Sequence, residues 1–180
     1  MERGGVSELF KKSSIGAIVL KKDGTIISLN SSASKSFGLE KDKQWINKNI
    51  LKIPLFKDSK LIKEIKKGLS GKVFNSKEII LKIDDSKELI ARYTGIPFTS
   101  EELVIFIEDM TEIIKSQKSL KSSEEKFRLL AEESPNMVFI VQNEKIVYAN
   151  KKCEEITGYD AKHFYSAKFD MNSLIASSSH

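Results

Sequence analysis

The sequence has very few of the residues that carry metal, redox or covalent chemistry. Its single cysteine, Cys153, excludes a disulfide within the chain, and its two histidines are His163 and the terminal His180. No cluster has zinc-ligand spacing, and no Gly-rich phosphate loop occurs. No nucleophile, base and orienting group can be assembled from the residues present. We therefore predict no metal site and no catalytic constellation, and we interpret the chain as a non-enzymatic module.

Long hydrophobic runs are also missing. The longest, Gly16–Leu20 and Leu103–Ile107, are far shorter than the ~20 residues that cross a bilayer. The N-terminal Met1–Gly5 lacks the apolar core of a signal peptide. We expect no membrane segment and a cytoplasmic protein.

The net charge of +5 is concentrated in the first part of the chain. Between Lys41 and Lys67 there are nine lysines and only three acids. Such a stretch is either a solvated helical face or a surface that binds anions or nucleic acid. The lysines are not interleaved with arginines or stacking aromatics, so we favour the solvated face and expect no nucleic-acid partner.

The order of apolar segments predicts an α+β domain. A lead-in helix at Ser7–Lys12 precedes two short strands that flank an Asp23-Gly24 turn, which is a strong hairpin signal. A helical middle follows, with an amphipathic helix expected to stop at Gly68 and Gly71. Three strands are then predicted, at Val73–Ile83 (with a possible break at Asn75-Ser76), Leu89–Phe98 and Leu103–Ile107. This order indicates one antiparallel sheet with helices on one face.

A long charged helix is predicted after the last strand. Asp109 and Glu112 fit a capping box, and no Gly or Pro occurs from there to Glu133. Apolar residues recur every seven positions, with mostly polar residues at the intervening positions, so the heptad seam is weak. One interpretation is a solvated spacer; the one we favour is a marginal coiled coil that forms a dimer. The seam residues are Ile113, Leu120 and Phe127, alternating with Gln117, Glu124 and Ala131.

The start of the chain repeats after this helix. At an offset of 120 residues, Asn30 falls on Asn150 and Gly38 on Gly158, and the apolar pattern keeps its register without a gap. We predict a first domain at residues 7–110, a linker helix at 111–133 and an incomplete second copy at 134–180. Because that copy lacks its last three strands, we expect a fragment of a longer protein. We expect residues 134–180 to be poorly ordered alone or stabilised by another chain.

These motifs together resemble tandem PAS domains, the sensory modules of bacterial and archaeal signalling proteins. Four features carry the resemblance, and they cover almost the whole chain. They are Gly16–Leu20 with Asp23-Gly24, Ile26-Ile27, Asn30, Ala33 and Phe37–Leu39; Glu108–Thr111; Ser123–Pro135; and Ile146–Asn150 with Ile156–Tyr159.

The resemblance implies a five-stranded antiparallel sheet with helices on one face and room for a ligand between the two layers. It also implies that Asp109 and Thr111 couple the sheet to the linker helix, whereas the residues alone indicate simple helix capping. The two roles are compatible, since a cap fixes how the helix leaves the sheet. Haem-binding relatives carry a histidine on the long helix and flavin-adduct relatives a reactive cysteine; the first domain has neither. Cys153 is expected to be a small packing residue.

The resemblance therefore favours a sensory module that detects a small ligand or partner and signals through the linker helix to downstream domains, as a homodimer. The alternatives are a fragment of a two-component sensor histidine kinase whose kinase domains lie beyond residue 180, or a haem or flavin sensor of redox state or light. No cofactor is predicted, and a non-covalent small ligand is compatible with the sequence, although we favour a fully packed core. The candidate pocket residues are Phe37, Trp45, Ile46, Ile50, Phe56, Ile62, Ile65, Phe98 and Phe106.

Overall fold

The structure is a computed structural model that describes residues 13–39, 44–57, 59–166 and 169. The predicted lead-in helix at Ser7–Lys12 and the last residues, 170–180, lie outside this part of the chain. The chain divides into two compact units, one ending at Ser116 and the other beginning at Gln117. Of the helices in the described ranges, none combines the length and the apolar composition needed to cross a membrane.

The first unit consists of two strands, a helical middle and further strands, in the predicted order. The strands are β1 (Gly16–Lys21), β2 (Ile26–Leu29), β3 (Phe74–Asn75), β4 (Ile79–Lys82), β5 (Glu88–Pro97) and β6 (Glu102–Asp109). The middle contains α1 (Ser31–Ser36), a 3-10 turn (Ile50–Lys52), α2 (Pro54–Lys57) and α3 (Leu61–Leu69). After β6 the linker helix α4 (Thr111–Glu132) begins, and the second unit adds β7 (Phe139–Gln142), β8 (Lys145–Ala149), α5 (Lys151–Thr157) and α6 (Ala161–Phe164).

The strands of the first unit form one antiparallel sheet. Its order is β2-β1-β6-β5, and both β3 and β4 pair with the free side of β5. β3 and β4 therefore share one edge of the sheet, and the break between Asn75 and Ile79 lies where the sequence indicated an interruption. The sheet thus has five strand positions, which confirms the predicted α+β fold.

The core lies between the inner face of the sheet and the helical middle. Successive side chains of a strand point to opposite faces, and this alternation places Leu89, Ala91 and Tyr93 of β5 on the buried inner face. Gly68 does not end α3, contrary to the expectation from sequence. It lies inside the helix, where a Cβ atom would come within 2.9 Å of the Phe74 ring. The glycine therefore allows α3 to pack closely on the sheet, and the chain turns after the helix at Gly71, which has a φ of +87°.

The second unit has a much smaller core. Ile146, Cys153 and Phe164 are its buried apolar residues in the described part of the chain, apart from Ala131 on α4. All four residues of β7 are exposed, including Phe139, so the β7–β8 hairpin has little apolar cover. That residues 134–180 are poorly ordered alone or stabilised by another chain stays a prediction.

The two copies share the hairpin-then-helix order, but the offset between them is not constant. The Asn30 and Asn150 N–H groups donate to the carbonyls of Ala17 and Val138, at 3.0 and 2.9 Å. The asparagines are 120 positions apart and the carbonyls 121. The difference arises because three residues separate Lys21 from Thr25, whereas two, Asn143 and Glu144, separate β7 from β8.

Both residues of the shorter turn have positive φ, 51° and 62°, as a tight two-residue hairpin requires. The predicted gapless superposition is therefore wrong by one residue. Ile18, which pairs with the last residue of β2, corresponds to Phe139 and not to Val138.

Candidate functional site

The junction between the sheet and α4 begins where β6 ends. Asp109 is the last residue of β6 and pairs with Ala91 on β5. The next two residues extend this contact past the end of the strand. The Met110 N–H donates to the Ile90 carbonyl at 2.8 Å, and the Ile90 N–H donates to the Thr111 hydroxyl Oγ1 at 3.0 Å. Both backbone polar groups of buried Ile90 are therefore bonded to the start of the helix.

Asp109 connects the same junction to α1. Its Oδ1 accepts a hydrogen bond from the Thr111 N–H at 3.0 Å, which caps the start of α4. Its Oδ2 accepts a hydrogen bond from the Ser36 hydroxyl, also at 3.0 Å. Ser36 is the last residue of α1. The structure thus brings both predicted relay residues, Asp109 and Thr111, to one point where α1, β5 and α4 meet.

Two buried hydroxyls, those of Ser34 and Tyr93, lack a hydrogen-bond partner among the described residues. The Tyr93 hydroxyl is buried on the inner face of β5, and no hydrogen bond to it occurs among the described residues. Burial, and then the negative charge of Asp109, raise the pKa of this phenol above its ordinary value. The hydroxyl is therefore protonated at neutral pH, and it is a donor aimed into the interior.

Seven of the nine predicted pocket residues pack in one core. The rings of Phe37, Trp45 and Phe56 form a mutual cluster, with centroid distances of 5.0 Å (Phe37–Trp45), 5.5 Å (Phe37–Phe56) and 5.5 Å (Trp45–Phe56). Ile50 and Ile65 are buried beside them. The two partly buried members, which pack against the same core, are Ile46 and Ile62.

Two of the predicted pocket residues do not belong to this core. Phe106 lies on β6 between buried Ile105 and Ile107, so strand alternation directs it to the opposite face of the sheet, where it is 39% exposed. Phe98 follows β5 in the turn towards β6 and is 71% exposed. The prediction that these two side chains line an interior pocket is therefore wrong.

The predicted seam residues are exposed along α4. Ile113 and Leu120 are largely accessible to solvent, and Phe127 is partly covered by the ring of Tyr148, with a centroid distance of 5.8 Å. Sequence reasoning did not find Ser36 or Ile90. Ser36 is one of many serines in the sequence, and Ile90 acts through its backbone, so neither has a signal in the amino-acid pattern. In the described ranges, no group of three or more histidine, cysteine or acidic side chains is placed to hold a metal ion.

The first unit is an α+β domain whose last strand leads directly into a long helix, and the comparisons with known proteins assign this architecture to a family. Residues 14–112 match a family model described as PAS domain, and residues 125–177 match a second PAS domain model. The first match covers more than half of the chain, which therefore belongs to the PAS domain family. PAS domains are sensory rather than catalytic modules of signalling proteins, including kinases.

Solved PAS domains have a similar structure at low identity. The PAS domain of an HTR-like protein from Haloarcula marismortui is 16% identical, with a TM-score of 0.46, over 58% of this chain and 88% of that one. The PAS domain of nitrogen regulation protein NR(II) from Vibrio parahaemolyticus is 15% identical, with a TM-score of 0.48, over 59% and 98%. The PAS domain of BvgS from Bordetella pertussis is 16% identical, with a TM-score of 0.48, over 66% and 95%. No curated protein matches the chain.

Proposed function

We propose that the first domain detects a small ligand or a partner and transmits the change through α4, with the chain acting as a homodimer. The observation that carries this proposal is the hydrogen-bonded junction at Ile90. Its N–H and carbonyl groups are bonded to Thr111 and Met110, so a shift of β5 cannot leave the start of α4 in place without breaking a buried bond. Leaving a buried donor unpaired costs about 1–3 kcal/mol, so β5 and the start of α4 are expected to move together.

A path from the core to this junction passes through α1. The Phe37 ring belongs to the aromatic cluster, and the preceding residue, Ser36, donates its hydroxyl to Asp109. A ligand or rearrangement that displaces the Phe37 ring therefore also moves the hydroxyl that Asp109 accepts. Asp109 in turn bonds the first N–H of α4. The input and the exit helix are thus linked by two covalently adjacent residues and two hydrogen bonds.

The exposure of α4 supports the dimer. Between Glu112 and Leu130 its side chains are largely exposed, and its internal ion pairs are Lys121–Glu125 at 4.0 Å and Glu124–Arg128 at 3.6 Å. Exposed pairs at this spacing stabilise a helix by only about 0.3–0.5 kcal/mol each. Most helical stability in proteins comes from packing of an apolar face. Ile113, Leu120 and Phe127 provide such a face for a second copy of α4.

The proposal is tested by comparing Ser36→Ala with Ser70→Ala. Both residues are surface serines whose hydroxyl donates one hydrogen bond, but Ser70 donates to Lys67 at the end of α3. We expect Ser36→Ala to change the dimer dissociation constant, measured by sedimentation equilibrium, by about three-fold or more, and Ser70→Ala to leave it unchanged. Equal effects of the two variants would contradict the relay. A monomeric wild-type chain would contradict the dimer, and hydrogen exchange of the Thr111 amide would then test the relay by itself.

Native mass spectrometry of the purified chain tests the input. It reports the oligomeric state and any retained small molecule in one measurement, and a visible absorption spectrum detects haem or flavin. A retained molecule that is lost when Phe37 is replaced by alanine would assign the aromatic cluster as the sensing site. Retention unaffected by that change would place the ligand elsewhere.

A further inference from the structure

The C-terminal end of α4 is held by a buried amide of the second unit. Asn150, between β8 and α5, is fully buried. Its Nδ2 donates to the Ala131 carbonyl at 2.6 Å and to the Asn136 carbonyl at 3.0 Å, and its Oδ1 accepts from the Val138 N–H at 2.9 Å. The last carbonyls of a helix have no partner within the helix. The Ala131 carbonyl also accepts a hydrogen bond from the Ser134 N–H at 3.3 Å, so Asn150 adds a second, shorter bond there and connects it to the start of β7.

A carboxylate of α4 makes a second contact with the same corner. Glu132 Oε1 accepts a hydrogen bond from the Tyr148 hydroxyl and Oε2 accepts one from the Lys151 N–H, both at 2.8 Å. Lys151 is the first residue of α5, which Asn150 does not cap with its side chain. In the first copy the corresponding Asn30 caps α1 directly, through the Ala33 N–H at 2.9 Å. In the first copy the asparagine caps the following helix, whereas in the second copy Glu132 on α4 caps α5.

The electrostatics of the corner agree with these contacts. The hydrogen bond from the Lys151 N–H, and then that from Tyr148, lower the pKa of Glu132 below its ordinary value. Burial, and then the hydrogen bond to Glu132, raise the pKa of Tyr148 to about 12. At neutral pH the pair is therefore a charged acceptor and a neutral donor, which is a strong hydrogen-bond combination.

We infer that Glu132, Tyr148 and Asn150 form a receiving joint, through which the end of α4 sets the position of the β8–α5 corner of the second domain. The inference rests on the proposed function of α4 and adds the residues that receive its signal. The joint contacts both the hairpin and the following helix, since Tyr148 lies on β8 and Lys151 begins α5. A displacement of the last turn of α4 therefore breaks the cap of α5 or moves it.

The single cysteine reports the state of this joint. Cys153 is buried in α5, and its Sγ lies 3.2 Å from Asn150 Oδ1. A buried thiol reacts with Ellman's reagent only when the surrounding structure opens, so the reaction rate measures the open population. Because the chain has no other cysteine, the signal comes from this corner alone.

The first arm of the experiment compares Glu132→Gln with Glu133→Gln in the full chain. The two changes remove the same charge from adjacent exposed positions, so electrostatic effects on the anionic reagent are matched. Glutamine at 132 keeps an acceptor for Tyr148 but places a donor against the Lys151 N–H. We expect the thiol of Glu132→Gln to react about five-fold faster than that of wild type, the effect of a lost helix cap, and Glu133→Gln to react like wild type. Equal rates in the two variants would overturn the joint, whatever the function of α4.

Tyr148→Phe is a milder variant that breaks one bond of the joint. It carries the test if the Glu132→Gln thiol reacts as fast as it does in denaturant, which would indicate an unfolded second unit. A two-fold or greater increase is expected for Tyr148→Phe, and an unchanged rate would exclude Tyr148 from the joint.

The second arm tests transmission. Thr111→Val, at the far end of α4 in sequence, should change the Cys153 rate at least two-fold in the wild-type background and leave it unchanged in the Glu132→Gln background. No effect in the wild-type background would overturn the proposed relay through α4 and, with it, the receiving role of the joint. An equal effect in both backgrounds would leave the relay intact and show that the signal bypasses Glu132. A purely structural joint cannot produce the predicted dependence of one substitution on the other.

Discussion

Replacing Thr111 with valine removes one hydrogen bond and almost nothing else. Valine has the shape of threonine, so the change leaves the packing intact and deletes the Oγ1 that accepts from the Ile90 N–H at 3.0 Å. Ile90 and Thr111 are both buried, and water has little access to the unpaired donor. A buried donor that loses its partner costs about 1–3 kcal/mol. We therefore expect the free energy of unfolding of the first domain to fall by about 2 kcal/mol.

The single tryptophan makes this loss measurable in the first domain alone. Trp45 is buried between Phe37 and Phe56, so its fluorescence follows the unfolding of that core. With a urea dependence of about 1–3 kcal/mol per molar for a domain of this size, the midpoint should fall by about 1 M. Thr111→Ser is the matched control, because it keeps the hydroxyl and loses only a methyl group, which is worth at most about 0.8 kcal/mol. If Thr111→Val were no less stable than Thr111→Ser, the bond to Ile90 would not hold the junction together.

Three further variants test separate parts of the molecule. Gln117→Leu combined with Glu124→Leu fills the polar positions of the seam and should tighten a parallel dimer by about ten-fold or more in sedimentation equilibrium; an unchanged oligomeric state and stability would contradict the coiled coil. Tyr93→Phe removes a buried hydroxyl that has no partner among the described residues. Urea unfolding should therefore show unchanged or slightly higher stability, and a loss of more than about 1 kcal/mol would indicate an internal water or ligand on that hydroxyl. Folding raises the Tyr148 pKa from 10.0 to about 12, so the contribution of this phenol to stability is complete below pH 10 and should be lost as the pH rises to about 12. The alkaline unfolding profile of Tyr148→Phe should lack this loss of stability. A Tyr148→Phe profile identical to that of wild type would refute the bond to Glu132.

The fold was predictable because periodic apolar patterns determine it. Alternation along β5 groups Leu89, Ala91 and Tyr93 on one face, which the structure buries, and the absence of Gly and Pro from the segment after Asp109 indicated a single helix. The same alternation explains why the prediction for Phe106 was wrong. Its neighbours Ile105 and Ile107 point into the core, so Phe106 points to the outer face of the sheet. The one-residue difference between the hairpin turns has no apolar signal, because turn residues are polar in both copies.

The contacts of the candidate site were only partly predictable. Asp109 and Thr111 were found because a capping pattern and a family motif coincide there. Ser36 is a half-buried and Glu132 an exposed polar residue; both lie in segments with many other polar residues, and their partners are distant in sequence. A side-chain hydrogen bond between two such residues depends on tertiary placement, which neither periodicity nor composition encodes.

The structure gives α4 two anchored ends and a weakly stabilised middle, and this combination has a thermodynamic consequence. Helix formation is cooperative, so losing the hydrogen bond at Thr111 shortens the helix from that end. The shorter helix then holds the contacts of Ala131 and Glu132 at its other end less firmly. Coupling of this kind is reciprocal: if loosening the start of α4 favours opening of the joint at its end, then loosening the joint must favour opening at the start of α4. Glu132→Gln should therefore speed hydrogen exchange of the Thr111 amide. A one-way effect would mean that α4 does not connect its two ends as a single cooperative element.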